Sequence, residues 1–216
     1  NELQPTALMK HETKWLVEAL EKAHYSKVSI KNLDRDGFID HYLKKLDNQK
    51  LYFINSEVEG FKKSYEPTLI TYFEQGNLFP GFEIYNSYKT NSLKRIKWAI
   101  EFLTEYPKLD SNRTYAPDRT ELNWASSVDE LDETWKNLIT FEFLNETLAK
   151  LDTNETLDDI SDSNLTSAKQ ESQKVLLKRY SRWQKNLEEF EAGDVQELYL
   201  TALTQMFHPH TTFMNL

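Results

Sequence analysis

The chain has 216 residues, of which 39% are hydrophobic and 28% charged, a composition typical of a folded globular protein. Its net charge of −9 disfavours a nucleic-acid-binding protein, and no apolar run approaches the roughly 20 residues that span a bilayer. The absence of cysteine excludes disulfides and thiolate sites, and the low content of glycine and proline, five and six residues, disfavours a turn-rich β-sandwich or barrel.

Apolar residues recur every three or four positions through most of the chain, which is the spacing of one face of an α-helix. We therefore predict an all-α fold, an irregular multi-helix bundle of about seven to eight helices, as a single domain over residues 1–216. In chain order, the predicted helices cover residues 6–23, 36–46, 55–65, 67–75, 82–105, 128–151 and 166–191, with a last helix between Asp194 and Pro209.

Glycine, proline and polar residues predict the breaks between these helices. A break is expected at 77–81, and the polar loop 108–121 is long enough to suggest a functional role. The acidic stretch 152–164 is interpreted as a solvated linker. Gly193 is expected to end the seventh helix and Asp194 to cap the eighth.

Four tryptophans fall on the apolar stripes of the predicted helices: Trp15, Trp98, Trp135 and Trp183. Their helical spacing favours a place in the core over a ligand-binding aromatic box.

Residues 32–40 resemble the first part of a calcium-binding EF-hand loop. Oxygen-bearing side chains occupy the first, third, fifth and ninth positions of the loop, and a glycine occupies the sixth. The twelfth place requires a bidentate glutamate, and here it holds Leu43. We interpret the stretch as a polar turn between helices with an aspartate cap. A calcium-responsive protein that uses Asp34, Asp36 and Asp40 remains an alternative.

Two histidine motifs lack ligands that a zinc site requires. His11 and Glu12 begin the His-Glu-x-x-His pattern, but Trp15 stands in place of the second histidine. His208 and His210 offer two imidazoles without a third ligand nearby in sequence.

A phosphate-binding loop is also excluded, although residues 76–81 have its glycine spacing. Phe82 and Glu83 stand where the lysine and the serine or threonine are required. Paired carboxylates lie in polar stretches, where nothing predicts the burial that a catalytic acid needs. The sequence therefore predicts no catalytic, cofactor-binding or metal-binding residue and no cofactor.

Two ordered sets of short motifs carry a family resemblance. Residues 24–61 contain His-Tyr-Ser, then Tyr-Leu-x-x-Leu-Asp, then Tyr-Phe and a further phenylalanine; the end of the chain contains Arg-Tyr, an aspartate and Pro-His-Thr. The residues are His24, Tyr25, Ser26, Tyr42, Leu43, Leu46, Asp47, Tyr52, Phe53, Phe61, Arg179, Tyr180, Asp194, Pro209, His210 and Thr211. This set resembles the N-terminal domain of the tail-specific proteases, the carboxy-terminal processing enzymes of the S41 serine peptidase family. Two departures are His208, where the family usually has aspartate, and the step at 55–58.

The resemblance implies a parent enzyme exported to the periplasm, with its signal peptide removed, that cuts proteins with exposed apolar C-termini. Its serine nucleophile, lysine base and PDZ domain would lie beyond Leu216, so this chain alone would be inactive. The chain would scaffold the enzyme or dock protein substrates or an adaptor, with no nucleic acid and no membrane span. A free-standing helical protein-interaction module is the alternative, and the oligomeric state stays open.

Overall fold

The computed structural model describes most of the chain. The described residues are 1–22, 29–108, 113–151, 161–207 and 213. Within these ranges the protein consists of eight α-helices and one 3-10 turn, without a β-strand, which confirms the predicted all-α multi-helix bundle. None of the described helices is long and apolar enough to cross a membrane.

The described helices follow one another in chain order. They are α1 (Ala7–Lys22), α2 (Arg35–Leu46), α3 (Asn55–Tyr65), α4 (Leu69–Glu74), α5 (Phe79–Thr104), α6 (Val128–Lys150), α7 (Asp162–Glu189) and α8 (Ala192–Phe207). The 3-10 turn at Ile30–Asn32 precedes α2.

The helices enclose two hydrophobic clusters that α5 joins. The first cluster lies among α1, α2, α4, α8 and the start of α5, where Phe82 and Tyr85 are buried. The second lies among α6, α7 and the end of α5, where Ile96 and Leu103 are buried. Tyr88, between these pairs, packs against both clusters. With 26 residues, α5 is long enough, at about 1.5 Å per residue, to serve both.

Aromatic rings fill the centre of the first cluster. Tyr199 of α8 packs against Phe38, Tyr42 and Phe73, with ring centroids 5.3, 4.9 and 5.2 Å away. The Tyr42 hydroxyl donates a hydrogen bond of 2.9 Å to the carbonyl oxygen of Gly81. A β-carbon at Gly81 would lie 2.5 Å from the Tyr199 ring, so α5 and α8 approach this closely only because residue 81 is glycine.

Helices α5 and α7 begin earlier than the sequence-based prediction, whereas α4 begins two residues later, at Leu69. Helix α5 begins at Phe79, inside the break expected at 77–81, because Pro80 lies in the first turn, where its missing N–H group costs no hydrogen bond. Helix α7 begins at Asp162, inside the linker expected at 152–164, because the Ser161 hydroxyl accepts a hydrogen bond from the Asn164 N–H group and caps the helix. The rest of that linker, 152–160, lies outside the described residues.

Gly193 does not end α7 as predicted, and Asp194 caps α8 from inside the helix rather than from the position before it. Helix α7 ends at Glu189, before Gly193, which lies in the first turn of α8. Asp194 is the third residue of α8, and its carboxylate accepts a 2.8 Å hydrogen bond from the Glu191 N–H group. It therefore caps α8 from inside the helix, as the acidic member of a capping box does.

The prediction that the tryptophans lie in the core was correct for three of them. Trp135 is fully buried, and Trp98 and Trp183 are half-buried against the second cluster. Trp15 is 68% exposed, so its predicted place in the core was wrong. The buried face of α1 includes Thr13 instead, because its hydroxyl donates to its own helix, to the Met9 carbonyl at 2.7 Å, and so needs no water.

We expect Gly81→Ala to lower the free energy of unfolding by about 1–3 kcal/mol, because the added methyl group would overlap the buried Tyr199 ring. The matched control is Gly60→Ala in α3, where nothing lies within 4 Å of the new β-carbon. That change should raise stability by about 0.5–1 kcal/mol, since alanine favours the helix. Urea unfolding of both variants tests the packing, and equal effects would contradict it.

Candidate functional site

The calcium-like stretch forms a helix cap and an ion-pair cluster. Asp34 caps α2, and its carboxylate accepts a hydrogen bond of 3.1 Å from the Gly37 N–H group. The Lys62 ammonium group of α3 lies 3.2 Å from Asp36 and 2.9 Å from Asp40. A lysine thus neutralises the carboxylates that a calcium ion would need, which favours the polar-turn interpretation. Within the described ranges, no three histidine, aspartate or glutamate side chains group as a metal site.

The other rejected motifs have structural roles where the structure describes them. Glu12 accepts a hydrogen bond of 2.8 Å from the Gln196 side-chain amide and so ties α1 to α8. Gly76 has a φ of +68°, a conformation that favours glycine, and turns the chain between α4 and α5. His208 and His210 lie outside the described residues.

Three of the family-motif residues, Asp47, Tyr52 and Phe53, lie in the turn that follows α2. Asp47 is 2% exposed at the end of that helix, and its carboxylate accepts three backbone hydrogen bonds. The donors are the N–H groups of Leu51 at 2.7 Å, Tyr52 at 2.9 Å and Phe53 at 3.0 Å. Burial raises the pKa of the Asp47 carboxyl, and these N–H groups together with Arg119 oppose that rise. The aspartate therefore fixes the path of residues 47–53, which we call the aspartate turn.

The aspartate turn sends side chains into both hydrophobic clusters. Phe53 enters the first cluster, while Tyr52 enters the second and lies 5.7 Å from Trp135 between ring centroids. The Trp135 indole donates a 2.6 Å hydrogen bond to the Leu51 carbonyl, and the Asn91 side chain donates one of 3.2 Å to the Tyr52 carbonyl. Helices α5 and α6 are thus bonded to the backbone of the same turn.

Lys50 anchors the segment that leads into α6, residues 113–127, which we call the strap. Lys50 is only 7% exposed, and its ammonium group donates to the carbonyl oxygens of Thr120 and Leu122. The same ammonium group lies 5.8 Å from the Trp124 ring centroid. The Arg119 guanidinium donates a 3.1 Å hydrogen bond to the Gln49 carbonyl. The described part of the predicted polar loop is therefore tied to the aspartate turn.

Tyr180 joins α7 to α6 at the opposite side of the second cluster. Its hydroxyl donates a 2.8 Å hydrogen bond to Glu142, and the neighbouring Arg179 guanidinium lies 2.7 Å from Glu146. Burial raises the pKa of Glu142, and the hydrogen bond from Tyr180 and the charge of Arg179 lower it only in part.

The other family-motif residues have packing roles or lie outside the described ranges. Tyr42, Leu43 and Leu46 are buried in the first cluster, and the half-buried Phe61 ring lies 5.6 Å from Phe53. The undescribed motif residues are His24, Tyr25, Ser26, Pro209, His210 and Thr211.

Lys50 and Asn91 contribute to this site, although nothing in the sequence predicts their roles. The sequence does not distinguish a buried lysine from an exposed one. Lys50 has a positive φ of 54°, but it is not a glycine or an asparagine, the residues that usually indicate such a conformation. Asn91 sits in a polar stretch of α5, and only its contact with the aspartate turn reveals its role. No pattern in the sequence gave a signal for either residue.

A groove of about 430 Å³ lies beside the aspartate turn, between α5 and the start of α6. Its walls are Tyr52, Ile54, Glu57, Asn91, Lys94, Arg95, Trp98, Val128, Leu131 and Asp132. The carboxylates in it are already bonded, Glu57 to the Ile54 N–H group at 2.9 Å and Asp132 to Arg95 at 2.5 Å. Val128 is 57% exposed at its rim. The groove therefore presents both apolar and polar groups at the surface.

We expect Asp47→Asn to lower the free energy of unfolding by about 1–3 kcal/mol, because the amide has one acceptor oxygen for three buried N–H groups. Asp129→Asn, on the exposed first turn of α6, removes the same charge and should change stability far less. Chemical denaturation measures both, and similar losses would show that charge alone matters.

We expect Glu142→Gln to change how stability depends on pH. The pKa of Glu142 is raised in the folded protein, so its ionisation weakens the fold as pH rises from about 4.5 through the folded-state value. Glutamine does not ionise, so the variant should gain stability relative to the parent protein between pH 4 and 7, roughly the carboxylate titration range. Urea midpoints across this range measure the difference.

Glu130→Gln is the control of opposite sign. Hydrogen bonds from Ser126 lower the pKa of Glu130, so its charged form stabilises the fold once pH exceeds the unfolded-state value. This variant should lose stability relative to the parent protein as pH rises. A pH-independent difference for Glu142→Gln would contradict the effect of burial on that carboxyl group.

Comparison with known proteins agrees with the ordered motifs. The family model of the tail specific protease N-terminal domain matches residues 16–215. A tail-specific protease of Haemophilus influenzae is 23% identical over 203 residues, which cover 94% of this chain and 27% of that relative. The chain thus spans about a quarter of the relative's length. The match extends over both hydrophobic clusters and the aspartate turn, and the chain belongs to the family of tail specific protease N-terminal domains.

Proposed function

We propose that the chain is a non-catalytic helical domain of a periplasmic carboxy-terminal processing serine endopeptidase of the S41 family. In this proposal it scaffolds the enzyme and docks protein substrates or an adaptor. The family match and the tail-specific protease relative support the assignment to such an enzyme. The PDZ domain and the Ser/Lys catalytic pair are expected in the polypeptide beyond Leu216.

The observation that carries the scaffolding role is the aspartate turn. Asp47 accepts three backbone hydrogen bonds, and neighbouring carbonyls bind Trp135 and Asn91, so its polar groups are already used in holding the helices together. A catalytic group needs a free acceptor or donor to meet a substrate. The most strongly buried motif residues therefore suit a rigid support better than an active site.

The groove beside the turn supports the docking role. It combines the half-buried Trp98, the exposed Val128 and the exposed Lys94 beside the aspartate turn. Such a mixture of apolar and polar groups suits the binding of a protein segment.

A competition experiment tests the proposal. Residues 1–216, added in excess to the complete protease, should slow cleavage of a folded protein with an apolar C-terminal tail, because the free domain binds the substrate. Cleavage of the same tail as a short peptide should not change, since a peptide needs no docking surface. The free domain itself should cleave neither. Peptidase activity of residues 1–216, or equal inhibition of both reactions, would overturn the proposal.

The alternative is a free-standing helical protein-interaction module. The coding sequence after Leu216 separates the two: a PDZ-like segment and a Ser/Lys protease domain support the enzyme, while a stop codon supports the free-standing module.

A further inference from the structure

Helix α7 has a basic outer face on a protein that is acidic overall. Residues 172–187 contain five lysines and arginines and no aspartate or glutamate, although the whole chain has a net charge of −9. Exposed cations follow one another along the helix: Lys174, Lys178, Arg182 and Lys185. Their spacing places them within about 80° around the helix axis and along about 16 Å of its length. We call these four residues the α7 basic stripe.

The fold itself makes little use of the basic stripe. Within the described part of the chain, Lys174, Lys178 and Arg182 form no ion pair, and Lys185 meets only Glu189 at 3.6 Å on the exposed surface. Arg179, beside the stripe, is different, because it pairs with Glu146 of α6. Packing of α7 relies on the opposite face, where Ser172, Leu176, Tyr180 and Leu187 are buried.

We infer that the α7 basic stripe binds an extended, Asp- or Glu-rich segment of a partner protein. This inference rests on the proposed docking function and identifies the chemistry of one docking surface. Lys174, Lys178 and Arg182 are four residues apart, about 6 Å along the helix axis, and Lys185 follows about 4.5 Å further on. Alternate side chains of an extended strand are about 6.6 Å apart on the same side, so carboxylates at every second residue can match them. The long, flexible lysine and arginine side chains can adjust to the difference between the spacing of the cations and that of the carboxylates.

Two other anionic partners fit the stripe less well. A membrane-surface helix inserts an apolar face beneath its cations, but the apolar face of α7 is buried in the second cluster. Single-stranded nucleic acid needs exposed aromatic rings for base stacking, and the aromatic residues of α7, Tyr180 and Trp183, turn towards the interior, where Tyr180 is buried and the Trp183 ring lies 5.6 Å from Tyr52. An acidic protein segment requires only the row of charges.

The local positive charge of the stripe also favours the binding of an acidic partner at this helix rather than elsewhere on the protein. A protein with an acidic surface repels acidic partners except where cations dominate the local potential, so the stripe would direct such a partner to one helix. Binding should weaken as salt rises, since exposed charges are screened within about 10 Å at 0.1 M ionic strength.

The test uses residues 1–216 and a fluorescent polyglutamate peptide, with polyglutamine as the uncharged comparison. Fluorescence anisotropy should show saturable binding of polyglutamate only. The triple variant Lys174→Glu, Lys178→Glu, Arg182→Glu should weaken it by about tenfold to a hundredfold, as expected for three lost and reversed ion pairs. The control Lys10→Glu, Lys44→Glu, Lys97→Glu changes the net charge equally at exposed sites on α1, α2 and α5 and should retain binding.

Several outcomes would overturn the inference: no binding of polyglutamate, equal weakening by both triple variants, or tighter binding to phosphatidylglycerol vesicles or oligothymidylate than to polyglutamate. Urea unfolding of both variants guards against misfolding, and the exposed positions should leave the midpoint nearly unchanged. Failure here leaves the proposed function separately testable. If residues 1–216 compete for the folded substrate but fail to bind polyglutamate, docking occurs at another surface.

Discussion

The structure depends on one buried carboxylate. Asp47 holds three successive N–H groups at 2.7–3.0 Å and thereby fixes the turn from which Tyr52 and Phe53 enter different hydrophobic clusters. The desolvation of this charge is costly, and the backbone donors offset that cost only while the turn keeps its shape. The two clusters, the α5 helix between them and the strap beside them are positioned relative to this one group.

The sequence predicts the helices well because helical periodicity depends on residues three and four apart, which a single sequence displays. It predicts local exposure less well. The buried face of α1 includes Thr13 and leaves Trp15 in solvent, since a hydroxyl that bonds to its own backbone can replace an apolar group in the core. The starts of α5 and α7 were predicted too late, because proline and serine are found at the beginning of helices as well as in the breaks between them. Here Pro80 lies in the first turn of α5 and Ser161 caps α7.

Long-range bonds explain why the roles of the motif residues could not be derived from periodicity. Asp47 bonds to residues four to six positions away, but Trp135 and Asn91 reach the same turn from 84 and 39 positions away. In the calcium-like stretch, the missing glutamate was visible in sequence, whereas the lysine that replaces the cation comes from another helix. A motif read along the chain shows which groups are present, and the fold decides whether they meet a ligand or one another.

The anchoring of the strap determines which of its groups hold it in place. Lys50 bonds to the main-chain oxygens of Thr120 and Leu122, and Asn55 donates its N–H group to the main-chain oxygen of Ala125. Main-chain oxygens are present whatever side chain a residue carries, so substitutions in the strap preserve these anchors. These three anchors therefore depend on the lysine side chain and on the main chain of the strap, while Arg119 and Trp124 are strap residues whose side chains add contacts of their own.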